Sequence, residues 1–256
     1  FSSPLYIAFA IFMIIAQALS LKLLYTLYKN SKVIDRNDSK WILISYASGI
    51  VAHIVYLLCL FDFSYNYEIQ KIAINAGFYL FLFSLIFSVT QRMVPFFTRG
   101  KTPGYVINKS VNLMPIVYSL LVFKVFILSF DNTSLNILSD LPLLIFFLRE
   151  LKKWNFPIKN TIPIMWVLYL AIYWIPVGFA ISCIESIISI LQIPFYFEKA
   201  VLHSLAIGFF ITILVGFGTR VVLGHSGRTP TADKFAIFVF IFVQIITLSR
   251  IVAALL

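Results

Sequence analysis

The stretch Gly216-Phe217-Gly218-Thr219-Arg220-Val221-Val222-Leu223-Gly224-His225-Ser226-Gly227-Arg228 closes one long apolar run and precedes the last run of the chain. Glycine, arginine and histidine crowd together here, in a chain that is 61% hydrophobic and only 12% charged. A soluble domain carries about twice that charged fraction. The run that this stretch closes extends from Glu198 to Leu223 and carries His203. It is long enough to span a bilayer, which takes roughly 20 apolar residues per helix. Continuous runs of this length exclude barrel strands of about ten alternating residues. The fold class is therefore all-α, a polytopic transmembrane helical bundle.

Along the chain, eight runs read as spans: Pro4 to Tyr28, Trp41 to Phe61, Ile72 to Pro95, Val111 to Phe130, Leu135 to Leu151, Ile162 to Ile184, Glu198 to Leu223, and Asp233 to the end. The fifth is short and interrupted by Asp140, and the sixth contains Pro176. No basic n-region of a signal peptide precedes the first run, which reads as a span rather than a cleaved leader. Cys59 and Cys183 lie inside apolar runs and form no CxxC pair, so they read as small buried hydrophobes, with a disulfide or a copper ligand as the alternatives.

Charge orients the bundle. The chain carries a net +10, and its basic residues follow the odd-numbered runs: Lys29 to Lys40, Arg92 to Lys109, Arg149 to Lys159, and Arg220 to Lys234. The even connections hold Asp62, Glu68, Asp131, Asp140, Glu185 and Glu198 instead, with few basic residues. The positive-inside rule places the odd connections in the cytoplasm. The basic excess thus reflects topology and contact with the lipid bilayer, with no nucleic-acid partner.

An internal repeat is also legible. Lys71-Ile72-Ala73-Ile74-Asn75 opens the third run and Lys199-Ala200-Val201-Leu202-His203 the seventh, 128 positions later, and the same offset carries Arg92 onto Arg220. The two runs point the same way, so the repeat is parallel, with four spans in each half: residues 1–130 and 131–256. Sites in repeat-built membrane proteins tend to lie where the halves meet.

Ionisable groups at membrane depth are candidate sites. His203 lies about 7 Å inside Glu198, and His53 about 14 Å from Asp62 on the same side, at 1.5 Å per residue. Both fall in the outer half, where neutral imidazole suits iron, copper and zinc alike. The structural alternative for each is a bond to a carbonyl of a neighbouring helix. His225 lies roughly 33 Å beyond His203 and belongs to the opposite surface. Arg92 and Arg220 read as interfacial anchors that snorkel to headgroups, with a role in an anion or partner site as the alternative. Lys124 and Asp140 flank one short connection, and pairing would make both tolerable in lipid. No GxGxxG, P-loop, nucleophile elbow or HExxH occurs.

Leu202-His203-Ser204-Leu205-Ala206-Ile207-Gly208, continuing into Gly218 to Arg228, resembles the signature of NnrS proteins. Arg92-Met93-Val94-Pro95-Phe96-Phe97-Thr98 is similar to a second signature of that family, and Trp166-Val167-Leu168-Tyr169 through Gly178 to a third. The resemblance implies a bacterial inner-membrane protein that binds haem and copper and acts in nitric oxide metabolism and tolerance of nitrosative stress. It makes His203 a metal or haem ligand, and His53 is the other candidate for cofactor and metal. Arg92, Arg220, His225 and Arg228 become motif residues without a defined role. Two departures stand out: Tyr169 occupies a position where the family often has histidine, and the family's N-terminal histidine-rich block is absent from this sequence. Nitric oxide or a related small molecule is the implied partner, with a respiratory electron donor if the site turns over. Whether it acts as an enzyme is not legible. A transporter of a metal-related solute, or a scaffold for respiratory-complex assembly, are the alternatives.

Overall fold

The computed structural model describes residues 4–61, 65–195, 197, 199–227, 229 and 231–255. Asp62, Glu198 and Arg228 lie outside the described residues. Among the described residues, eight helices carry the chain: α1 Pro4–Asn30, α2 Asn37–Leu58, α3 Asn66–Lys101, α4 Leu113–Ser129, α5 Ile137–Trp154, α6 Pro163–Ile190, α7 Ala200–His225 and α8 Lys234–Ala253. No strand occurs among the described residues. Six helices, α1, α2, α3, α6, α7 and α8, are long and apolar enough to cross a membrane. The other two counted spans fall short for different reasons. Helix α4 has 17 residues, about 25 Å at the helical rise. Helix α5 carries Asp140, Arg149, Glu150, Lys152 and Lys153 in its 18 residues.

The chain forms two compact units, Phe1–Val89 with Met114–Asp131, and Thr90–Leu113 with Asn132–Leu256. In the first, Arg36 closes the end of α1 by donating to the carbonyls of Tyr28 and Lys29 at 3.2 and 3.3 Å, groups that a helix end leaves unpaired. Helix α2 approaches α3 at Gly49, where a Cβ would lie 2.5 Å from the Phe81 ring. Ser48 and Tyr118 share a hydroxyl bond of 2.6 Å that ties α2 to α4. Lys71 pairs with Asp131 at the far end of this unit. Lys124 is buried, with its ammonium 5.9 Å from the centre of the Tyr79 ring.

The second unit is built around α6. Two-thirds of its most apolar window is buried (67%), and its buried residues cover every side, which is why it shows no amphipathic stripe. Against α7 it packs through glycines: Cβ atoms at Gly208, Gly216 and Gly178 would lie 2.5, 2.6 and 2.8 Å from Trp174, Leu168 and Leu205. Without a hydrophobic drive between helices in lipid, such close approach is what holds them together. Polar links add to it. Trp174 Nε1 donates to Gln244 Oε1 at 2.7 Å, and Gln244 Nε2 donates to Thr212 Oγ1 at 3.0 Å, joining α6, α8 and α7. Phe147 stacks on Phe179 at 5.9 Å between α5 and α6. Asp140 is buried and accepts from the Ser182 hydroxyl.

Besides shifted ends, with α3 beginning at Asn66 rather than Ile72, α6 running to Ile190 rather than Ile184 and α7 to His225 rather than Leu223, two features of the helices differ from the sequence reading. Helix α3 does not end at Pro95 but continues to Lys101. The turn beyond the proline is tied down by buried Thr98, and hydroxyls and neighbouring helices are what let membrane helices tolerate proline. Second, α3 and α7 each contain a π-helical segment, Gly77–Phe83 and Ser204–Ile211, whose last residues are 128 positions apart. Each is followed by a hydroxyl that donates five residues back: Ser84 to the Tyr79 carbonyl and Thr212 to the Ile207 carbonyl, both at 3.1 Å. A π turn frees a carbonyl from the α pattern, and the side chain meets it.

Candidate functional site

Three stretches that are distant in sequence converge at the basic end of the second unit. Thr98, near the end of α3, donates to the Val94 carbonyl at 2.8 Å and shares a 2.9 Å bond with the Tyr169 hydroxyl in α6. Phe97 meets Phe217 of α7 edge-on at 6.1 Å. The guanidinium carbon of Arg220 lies 3.8 Å above the Phe97 ring centre. Gly216 completes the junction by resting against Leu168 and Val167. Each stretch is short, and each supplies a small or flat residue where the others press.

Below this junction lies a polar strap. Tyr169 stacks on Phe156 at 4.4 Å, and Phe156 stacks on Tyr105 at 6.5 Å. The Tyr105 hydroxyl donates to the Trp154 carbonyl at 2.7 Å. Burial pushes the Tyr105 phenol up to about 12, and neighbouring Tyr169 adds to the rise. Glu150 is 2% exposed and accepts from the Ser110 backbone and hydroxyl at 2.8 and 2.7 Å and from Trp154 Nε1 at 2.8 Å. Lys109 Nζ donates to buried Gln91 Oε1 at 2.6 Å. These contacts fasten the connection after α3 onto the end of α5. Glu150 escaped the sequence reading, although it is the lone acid in Arg149-Glu150-Leu151-Lys152-Lys153.

The converging stretches are the three motifs singled out in the sequence, and the chain matches the model of the NnrS protein family over residues 2–256. It belongs to the NnrS family. No curated protein and no solved structure matches it. In this NnrS protein the motifs are thus one packed junction rather than three separate features.

The histidines lie elsewhere. His53, on α2, is half-buried and its Nδ1 is 3.0 Å from Gln17 Oε1 of α1. A carboxamide oxygen only accepts, so Nδ1 carries the proton and Nε2 keeps the lone pair. A cavity of about 410 Å³ adjoins it, lined by Gln17, His53, Tyr56, Gly77, Phe78 and Phe81 among others. Gly77, Phe78 and Phe81 come from the π-helical segment of α3, so that local winding shapes the cavity wall. His203, on α7, is half-buried and immediately precedes the other π-helical segment. Among the described residues, Arg250 and Lys199 are charged groups near it. His225 is exposed at the end of α7 and Arg92 is exposed on α3.

His53 could supply one imidazole nitrogen to a haem iron. Metal-binding histidines usually donate their other ring N–H to an oxygen, which fixes the tautomer and orients the ring, and Gln17 is placed to do this. A copper site asks for more. Among the described residues no group of three or more histidine, cysteine, aspartate or glutamate side chains is assembled for a metal. Copper therefore does not find a full donor set in them.

Proposed function

We propose that this NnrS protein is a multi-pass inner-membrane protein of the nitric oxide response that holds a haem through His53, with His203 as the second candidate ligand. Family membership carries the reading, and the His53–Gln17 contact beside a cavity gives it a chemical location. His53 ranks ahead of His203 because Gln17 supplies it with an orienting oxygen. Haem iron with an open position binds a diatomic such as nitric oxide. The chain's own part is to present the His53 lone pair, to hold the imidazole through Gln17, and to surround it with the apolar walls of Ala52, Ala73 and Phe81.

In this reading the basic connections after odd-numbered helices face the cytoplasm, and the chain is a parallel repeat. The paired π-helical segments and the Ser84 and Thr212 hydroxyl bonds support the repeat, since both recur at one offset. Cells that depend on this protein under nitric oxide challenge test the function. Growth is expected to fall with His53→Ala and to survive with His225→Ala. Equal protection by both variants would refute a role for His53.

A further inference from the structure

Among the described residues, Arg220 is a cation without a counter-charge. It lies in a membrane-length helix, and no described acid or hydrogen-bond acceptor engages it. Its Nη1 is buried and unpartnered. Exposed Arg99 can swing to water or headgroups. Arg220 cannot do so as freely, because its guanidinium is stacked on Phe97, which is itself braced by Phe217.

We propose that Arg220 on its Phe97 platform is a seat for one phosphate oxyanion at the basic end of the second unit. Stacking uses the flat face of the guanidinium and leaves its N–H edge for a ligand, and that edge matches phosphate oxygens two at a time. The ring holds the cation by its quadrupole without neutralising it, so the charge remains to be answered. Arg220 lies five residues before the last residue of α7, about 7.5 Å along the axis, a depth suited to the headgroup boundary. Exposed Lys101 at the end of α3 belongs to the same unit and adds to the positive field. The phosphate has two sources, a lipid headgroup or a soluble phosphate.

The test uses the whole protein in zwitterionic nanodiscs, titrated separately with phosphatidylglycerol and with inorganic phosphate. Thermal midpoint and phosphate or lipid retained per protein are read. Wild type and Arg99→Gln are expected to gain stability and retain ligand, while Arg220→Gln retains at least about tenfold less. A response to phosphatidylglycerol alone assigns a lipid, and an equal response to inorganic phosphate assigns the soluble anion. Should Arg220→Gln fail to fold, Phe97→Leu decides, since it keeps the charge and removes the platform; retention is expected to drop several-fold. No response in wild type to either ligand, or retention in Arg220→Gln or in Phe97→Leu equal to wild type, overturns the proposal.

Discussion

His53 Nδ1 lies 3.0 Å from Gln17 Oε1, and this contact joins the first two membrane helices. It also sets which ring nitrogen is free. Gln17→Leu is expected to weaken haem retention about 10–100-fold, the range for loss of a partner that orients a metal-binding histidine. Gln17→Glu, which still accepts from Nδ1, is expected to retain most of it. Haem loss to an external acceptor measures this, and identical loss rates in the two variants would remove Gln17 from the site.

Close packing of α6 on α7 predicts a sharp contrast among glycines. Gly208→Ala drives a Cβ into the Trp174 ring and Gly216→Ala drives one into Leu168. Each is expected to cost about 1–3 kcal/mol, the usual penalty for overpacking. At Gly218 a Cβ meets nothing within 4 Å, and Gly218→Ala is expected to be neutral or to stabilise by up to about 1 kcal/mol. Thermal unfolding in one detergent ranks the three.

Glu150 holds the connection after α3 through two donors on Ser110, and it also accepts from Trp154 of its own helix. Glu150→Ala leaves buried donors unpaired, at about 1–3 kcal/mol, and frees residues 102–112. Limited trypsin digestion is expected to cut at Lys109 in the variant well before the wild type. Unchanged cleavage would mean that the strap is held by other contacts.

Tyr105 gives a pH signature. Its phenol is raised from 10.0 to about 12, first by burial and then by Tyr169. The folded state therefore favours the protonated form. The contribution is fully present below pH 10 and is lost as pH rises through about 12. Tyr105→Phe is expected to flatten the alkaline loss of thermal stability across that window. An unchanged alkaline limb would place the loss on other groups.

Much of the architecture was legible because hydropathy runs and their flanking charges are local. The passage of α6 through Pro176 follows from apolar length, whereas α7, read from sequence as ending at Leu223, keeps its helical hydrogen bonds through Gly224 to His225. Pro95 misled, because its tolerance depends on Thr98 and Tyr169, which meet only in the folded unit. The π-helical segments were invisible, since one wider turn leaves composition unchanged and alters only the phase of the later turns. The Gln17–His53 contact had a faint signal. Gln17 is the one carboxamide in the apolar body of α1, and a hairpin about residues 31–36 brings it to the level of α2 where His53 lies. The Glu150 network had less, because it depends on how a connection folds back on a helix end.

The most direct measurement is the optical spectrum of the purified, intact protein beside its His53→Ala and His203→Ala variants. The expected result is a Soret band in the wild type that responds to nitric oxide, is lost in His53→Ala and persists in His203→Ala. A wild type without haem, or a band that His53→Ala leaves intact, would contradict the assignment of His53 as the ligand.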